Sequence, residues 1–176
     1  MTYNPDIHHR RSIRLREYDY SSFGGYFITT CVQNRECLFG NIVDDVMLLN
    51  DAGRLVESVW NGLPKRFPSI ELDAFIAMPN HVHFIVDITE PDGKEEVGQG
   101  SRAGQDRAPA LDRIVGAFKS ISAAQVNRLL SRTGQPLWQR NYYERVIRNE
   151  AELDGFRDYI IHNPLKWGDD TENPKT

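Results

Sequence analysis

The spacing of apolar residues along this chain changes several times, and each change marks an element. Tyr26-Phe27-Ile28-Thr29-Thr30-Cys31-Val32 is a run of aromatic and β-branched residues, the composition of a strand, and Gly24-Gly25 ahead of it marks a turn. From about residue 50 the period becomes helical. Leu55, Val56, Val59 and Trp60 fall on one face, Asn50 or Asp51 stands where a cap belongs, and Gly62 with Pro64 ends the helix. Ile70 to Met78 alternates at first and then turns continuously apolar, as a central strand does. Pro79-Asn80 predicts a turn and His81 to Ile88 a second strand, so this pair forms a tight hairpin.

Residues 89–110 break the pattern with Pro91, Gly93, Gly98, Gly100, Gly104, Pro109 and many charges, which predicts a flexible insert. Helical spacing resumes from Leu111 to Leu130 through Ile114, Val115, Phe118, Ile121, Val126 and Leu129, with Asp112 as a candidate cap. Leu137 to Ile147 reads as a strand. Asn149-Glu150-Ala151-Glu152 opens a last helix with acids in its first turn, Pro164 stops it, and the polar chain after Gly168 is expected to fray. The order β, α, β, β, α, β, α predicts an α+β fold. Its first six elements match a ferredoxin-like βαββαβ antiparallel sheet with helices on one face, followed by an additional C-terminal helix.

A length of 176 residues fits one domain, and 40% hydrophobic residues suffice for a core. The net charge of −4 argues against a uniformly basic nucleic-acid binder. The charge is unevenly spread, however. Residues 8–16 hold four arginines and no acid, and residues 111–148 hold seven Lys or Arg against two acids, whereas residues 150–176 hold seven acids against three bases. Two basic stretches in an acidic chain suggest one side that faces a polyanion. No stretch approaches the roughly 18 consecutive apolar residues of a membrane helix. The first residues lack the apolar segment of a secretory signal, and Cys31 and Cys37 have no metal-site spacing, so a reducing, cytoplasmic setting is expected.

His81-Val82-His83 is the sharpest chemical feature. Residues two apart on a strand share a face, so both imidazoles project together and suit one cation, while Val82 points into the core. On the last helix, Tyr159 and Asn163 are four apart and share a face; Asp158 and His162 are nearby donors. A phenol and an amide oxygen brought over two histidines make a phosphoryl-transfer site, with the phenol as nucleophile. Tyr142, Tyr143, Tyr18 and Tyr20 are rival nucleophiles by residue type.

Met78-Pro79-Asn80-His81-Val82-His83, followed by Phe-Ile-Val, resembles the His-hydrophobe-His signature of the HUH single-tyrosine transposases. Asp158-Tyr159-Ile160-Ile161-His162-Asn163-Pro164 resembles their tyrosine helix. Leu137-Trp138-Gln139-Arg140-Asn141-Tyr142-Tyr143-Glu144-Arg145 is similar to a strand of the REP-associated tyrosine transposase branch, as is Arg14-Leu15-Arg16 with Tyr18-Asp19-Tyr20. The resemblance spans about residues 10–168. It implies a single-stranded DNA nuclease and strand transferase acting on palindromic repeats that form hairpins. It further implies Tyr159 as the residue joined to a 5′ phosphate, and His81, His83 and Asn163 as ligands of Mg or Mn. In such enzymes the tyrosine serves its own chain or a partner subunit, so a homodimer is one expected arrangement.

On this reading residues 1–25 form a basic arm, 26–168 the catalytic domain with its insert at 89–110, and 169–176 a polar tail. Arg10, Arg11, Arg14 and Arg16 are expected on hairpin phosphates, with Lys119 and Arg140 as further DNA contacts; Trp138 and Tyr142, with Tyr143 beside them, are expected to stack on unpaired bases. Two other functions compete. One is a protein that grips repeat hairpins without cutting them. The other is a small metal-dependent hydrolase, which would need Asp87 or Asp158 as its base.

Overall fold

Strand β1 (Gly24–Cys31) alternates so that Tyr26 and Ile28 enter one apolar cluster and Phe27 enters another. Such a strand must be covered on both sides, and the topology supplies both covers. In the computed structural model, which describes residues 23–89 and 110–174, β1 lies between β5 (His81–Ile88) and β6 (Tyr143–Val146). β4 (Ile70–Ala77) pairs with the outer side of β5, giving the order β4-β5-β1-β6 with every neighbour antiparallel. This is the split βαβ arrangement expected from the element order.

Helices α1 (Asp51–Gly62) and α2 (Leu111–Leu129) cover one face. Val56, Val59 and Trp60 meet Ile114, Val115 and Phe118 there, together with Val82, Phe84, Val86 and Ile88 from β5. Helix α3 (Glu150–Ile161) covers the opposite face, where Ile160 packs with Phe27 and Ile85, and Leu153 and Phe156 pack around them. Asn50 caps α1 by accepting from the Gly53 amide at 3.0 Å, and Asn149 caps α3 by accepting from the Glu152 amide at 2.9 Å. Gly53 has a steric reason to be glycine: a Cβ there would stand 2.2 Å from the Phe39 carbonyl oxygen. No helix among the described residues is long and apolar enough to cross a membrane.

Three local expectations are corrected. A hairpin of β2 (Gly40–Val43) and β3 (Val46–Leu49), unforeseen from the pattern, precedes α1; its two-residue turn places Asp44 and Asp45 at φ 49° and 61°. Asp112 sits in the first turn of α2 but does not cap it, because Ala110 holds the cap position. The strand expected from Leu137 shortens to Tyr143–Val146. Lys119 explains the shortening: its ammonium donates to the carbonyls of Gln139, Arg140 and Asn141 at 2.6, 3.0 and 3.3 Å, fixing this stretch as a loop. Residues 1–22 of the expected basic arm (1–25) and residues 90–109 of the expected insert (89–110) lie outside the described residues.

Candidate active site

Strand β5 starts at His81, directly after the Pro79-Asn80 turn, so His81 and His83 point to the α3 face while Val82 enters the main core. The imidazoles meet with their Nε2 atoms 3.0 Å apart. Both are buried, at 0% and 4% exposure. Burial pushes the His81 pKa down to about 4, opposed by the Asp170 carboxylate and the Asn163 amide. Burial, then the neighbouring His81, holds His83 well below the usual histidine range. Both rings are therefore neutral at physiological pH, and each carries one lone-pair nitrogen. Each outer nitrogen has a partner: His81 Nδ1 lies 2.9 Å from Asn80 Oδ1, and His83 Nδ1 lies 2.7 Å from Thr29 Oγ1. Thr29 is in place because β1 pairs it directly opposite His83.

Helix α3 brings the tyrosine. Phe156 stacks on Phe27 with ring centres 4.5 Å apart, and Arg157 grips Asp73 of β4 with two bonds of 3.0 and 2.6 Å. Tyr159 then stands edge-on to His83, ring centres 5.1 Å apart, and against Phe27 at 5.8 Å. Burial raises the Tyr159 pKa, the Asn163 amide lowers it, and Asp170 and Glu172 raise it again. The phenol is thus protonated at rest and needs added positive charge to become a nucleophile. Asn163 follows α3 as the residue before a 3-10 turn at Pro164–Asp169, and it is 2% exposed. Its Oδ1 is buried and has no hydrogen-bond partner among the described residues. A buried carbonyl oxygen without a donor is costly, and a cation would relieve it.

The two histidines and Tyr159 share one cleft of about 420 Å³, also lined by Thr29, Tyr143 and Asp170 among others. Among the described residues no three His, Cys, Asp or Glu side chains gather as a metal centre. The donors that fit a cation here are two neutral imidazole nitrogens and one orphaned amide oxygen, a set compatible with Mg or Mn once water completes it.

The chain is similar to two curated proteins and to one solved structure. It is 42% identical over 171 residues to an uncharacterized Haemophilus influenzae protein, covering 96% of this chain and 95% of that one. It is 25% identical over 151 residues to a second H. influenzae protein, one that carries the name of a REP-associated tyrosine transposase, covering 85% of this chain and 75% of the relative. The fold matches a solved REP-associated tyrosine transposase bound to a REP hairpin, with a TM-score of 0.60 at 20% identity, over 88% of this chain and 74% of that chain. No protein-family model matches.

The chain has the fold of that REP-associated tyrosine transposase.

The structure brings His81, His83, Tyr159 and Asn163 together and keeps Trp138, Lys119 and Tyr142 out of the cleft. Trp138, expected to stack on bases, is a core residue with 6% exposure. It packs on Phe39 and Phe118 and donates its indole N–H to Ser122 Oγ at 2.9 Å, so no face is free. Lys119, expected on DNA, spends its ammonium on the three loop carbonyls and lies 5.9 Å over the Tyr142 ring. Tyr142 packs against the core, whereas Tyr143 is 41% exposed and lines the cleft. Arg140 is exposed. Arg10, Arg11, Arg14 and Arg16 lie outside the described residues. Neither Asp87 nor Asp158 is among the residues lining the cleft.

Sequence reasoning missed Asp170 and Glu172, assigned to a fraying tail. Residues 170–174 instead fold back over the histidines: Asp170 Oδ2 is 3.8 Å from His81 Nε2, and Glu172 pairs with Arg35 at 3.0 Å. The one signal in the sequence was Trp167, whose ring lies 6.0 Å from that of His81.

Proposed function

We propose that this protein is a single-stranded DNA endonuclease and strand transferase that cuts hairpin-associated DNA through a covalent link between Tyr159 and a 5′ phosphate. Mg or Mn is the proposed cofactor, held by His81, His83 and Asn163. One observation carries the reading: two neutral imidazoles with Nε2 atoms 3.0 Å apart share a cleft with a half-exposed tyrosine, beside an orphaned amide oxygen.

Each residue has a defined part. His81 and His83 offer lone pairs at Nε2, and the Asn163 Oδ1 supplies a neutral oxygen. A divalent ion bound there would draw charge from a non-bridging phosphate oxygen and favour the phenolate. Tyr159 Oη loses its proton and bonds to phosphorus; the bond from phosphorus to the 3′ oxygen breaks, and that oxygen leaves as a hydroxyl after taking a proton. Because the phosphotyrosine is itself an ester, attack by another 3′ hydroxyl reverses the step and joins new strands. The 5.1 Å approach of Tyr159 to His83 within one chain supports action in cis. Tyr143, beside the cleft and in edge contact with Phe27, is a base-stacking candidate in place of Trp138. Arg140 remains a proposed phosphate contact, as do Arg10, Arg11, Arg14 and Arg16 of the proposed basic arm. Residues 26–168 form the proposed catalytic unit.

The test is a labelled single-stranded hairpin incubated with the protein and Mn or Mg, resolved on a denaturing gel. A protein-linked band that disappears in Tyr159→Phe supports this reading. Hairpin binding without any linked band supports a non-cleaving binder, and cleavage that persists in Tyr159→Phe supports a metal-dependent hydrolase.

A further inference from the structure

Two buried histidines face each other, yet their outer nitrogens are held by different chemistries. Asn80 is fully buried, and its amide nitrogen donates to two main-chain carbonyls, Arg35 at 3.0 Å and Glu172 at 2.6 Å. A carbonyl only accepts, so the group facing both must be the NH₂. The Asn80 amide is thereby fixed, and the atom it turns to His81 is the Oδ1 acceptor. His81 must then carry its proton on Nδ1 and present a bare lone pair at Nε2. The two carbonyls are themselves braced. Asn34 and Arg35 both occupy the left-handed region, with φ 57° and 56°, and the Arg35 side chain pairs with Glu172.

His83 is held otherwise. Its Nδ1 meets the Thr29 hydroxyl, which donates or accepts by rotating about its C–O bond. With His81 Nε2 a lone pair, the 3.0 Å contact between the rings needs a hydrogen or a cation between them. Without metal, His83 supplies that hydrogen from Nε2 and takes the Thr29 O–H at Nδ1. With a cation bound, its proton resides on Nδ1 and donates to Thr29.

We propose that Asn80 is a positioning residue that commits His81 to the Nδ1–H tautomer, with the Arg35 and Glu172 carbonyls setting its orientation, while Thr29 lets His83 exchange tautomers as a divalent cation binds. The purpose of this arrangement rests on the cation-site reading above, but the tautomers do not. Their assignment follows from donors and acceptors alone. It also gives the 170–174 segment a part in the site through one main-chain oxygen.

The experiment uses full-length, metal-free protein labelled with nitrogen-15 at histidine and read by long-range proton–nitrogen correlation at neutral pH. The expected wild-type spectrum shows His81 protonated at Nδ1 and bare at Nε2, with His83 the reverse; Mn2+, or diamagnetic Mg2+ for the spectrum, moves the His83 proton to Nδ1. Asn80→Leu removes the acceptor, admits the other His81 tautomer, and weakens Mn2+ binding by about 10- to 100-fold in calorimetry. Asn80→Asp loses the two donors to the Arg35 and Glu172 carbonyls but keeps an acceptor for Nδ1–H, so it retains the tautomer and binds Mn2+ more tightly than Asn80→Leu and more weakly than wild type. Should Asn80→Leu fail to fold, the wild-type spectrum alone still decides. A wild-type His81 protonated at Nε2, or equal Mn2+ affinity in the two variants, overturns the proposal. A protein with the expected tautomers that binds Mn2+ yet never links to DNA overturns the transferase reading and leaves this one standing.

Discussion

Strand β5 serves two faces with opposite contents. Toward α1 and α2 it sends Val82, Phe84, Val86 and Ile88, each almost completely buried among apolar neighbours from both helices. Toward α3 it sends His81, His83 and Ile85, and only Ile85 joins an apolar cluster, a small one with Phe27 and Ile160 at its centre. The first face holds the sheet together by burying apolar surface. The second gives up some of that burial to carry two neutral imidazoles, an orphaned amide oxygen and an open cleft. A sheet covered on both sides can keep its stability and its chemistry apart, because alternate residues of one strand belong to different environments.

Breaking the first face has the largest expected effect. Phe84→Ala should cost about 3–5 kcal/mol in urea unfolding, as buried aromatic truncations do. The comparison fails if Ile160→Ala, on the smaller cluster, costs as much globally; its expected signature is faster amide exchange confined to α3. Next in size is metal. Mn2+ at about a hundred times its dissociation constant should stabilise the wild type by about 2.7 kcal/mol, and His81→Ala should abolish that gain while Phe84→Leu keeps it.

A pH titration comes third. Burial lowers both histidine pKa values in the folded state, His81 to about 4, while the unfolded chain titrates near 6.5. Between these values the unfolded state binds more protons, so stability is complete above about pH 6.5 and is lost as pH falls toward 4. Thermal melts of metal-free protein should show this loss, and a His81→Gln, His83→Gln double variant should flatten it.

The smallest effects belong to the rim of the second face. The Arg157 to Asp73 pair is partly exposed, so Asp73→Asn should cost about 1 kcal/mol or less. Tyr159, 39% exposed, should tolerate Phe within about 0.5 kcal/mol. A large stability loss in Tyr159→Phe would mean that the second face is structural after all.

The two faces also differ in how much the sequence discloses. His81 and His83 were legible because a strand's period of two leaves no choice about sharing a side, and Tyr159 with Asn163 because helix spacing works the same way. The order of elements disclosed the sheet. Local patterns say nothing about long-range partners, and the misses follow from that. Trp138 looked like a stacking platform, but Ser122 and Phe118, some 16 to 20 residues upstream on α2, draw it inside. Lys119 looked like a phosphate contact until three carbonyls of a loop claimed it. Asn80 read only as a turn residue, since the carbonyls that orient it come from residues 35 and 172. The β2–β3 hairpin was hidden because its strands are four residues each and its turn uses aspartates in place of glycine.

The central claim is that the second face exists to join Tyr159 to DNA. The most direct measurement is to trap the linked species on a hairpin substrate with Mn2+, digest it, and identify the modified peptide by mass spectrometry. The account predicts a single nucleotide-bearing peptide containing Tyr159, joined through a 5′ phosphate, with a free 3′ hydroxyl on the released strand. A nucleotide on Tyr143 or Tyr142, or a linkage through the 3′ end, would contradict it.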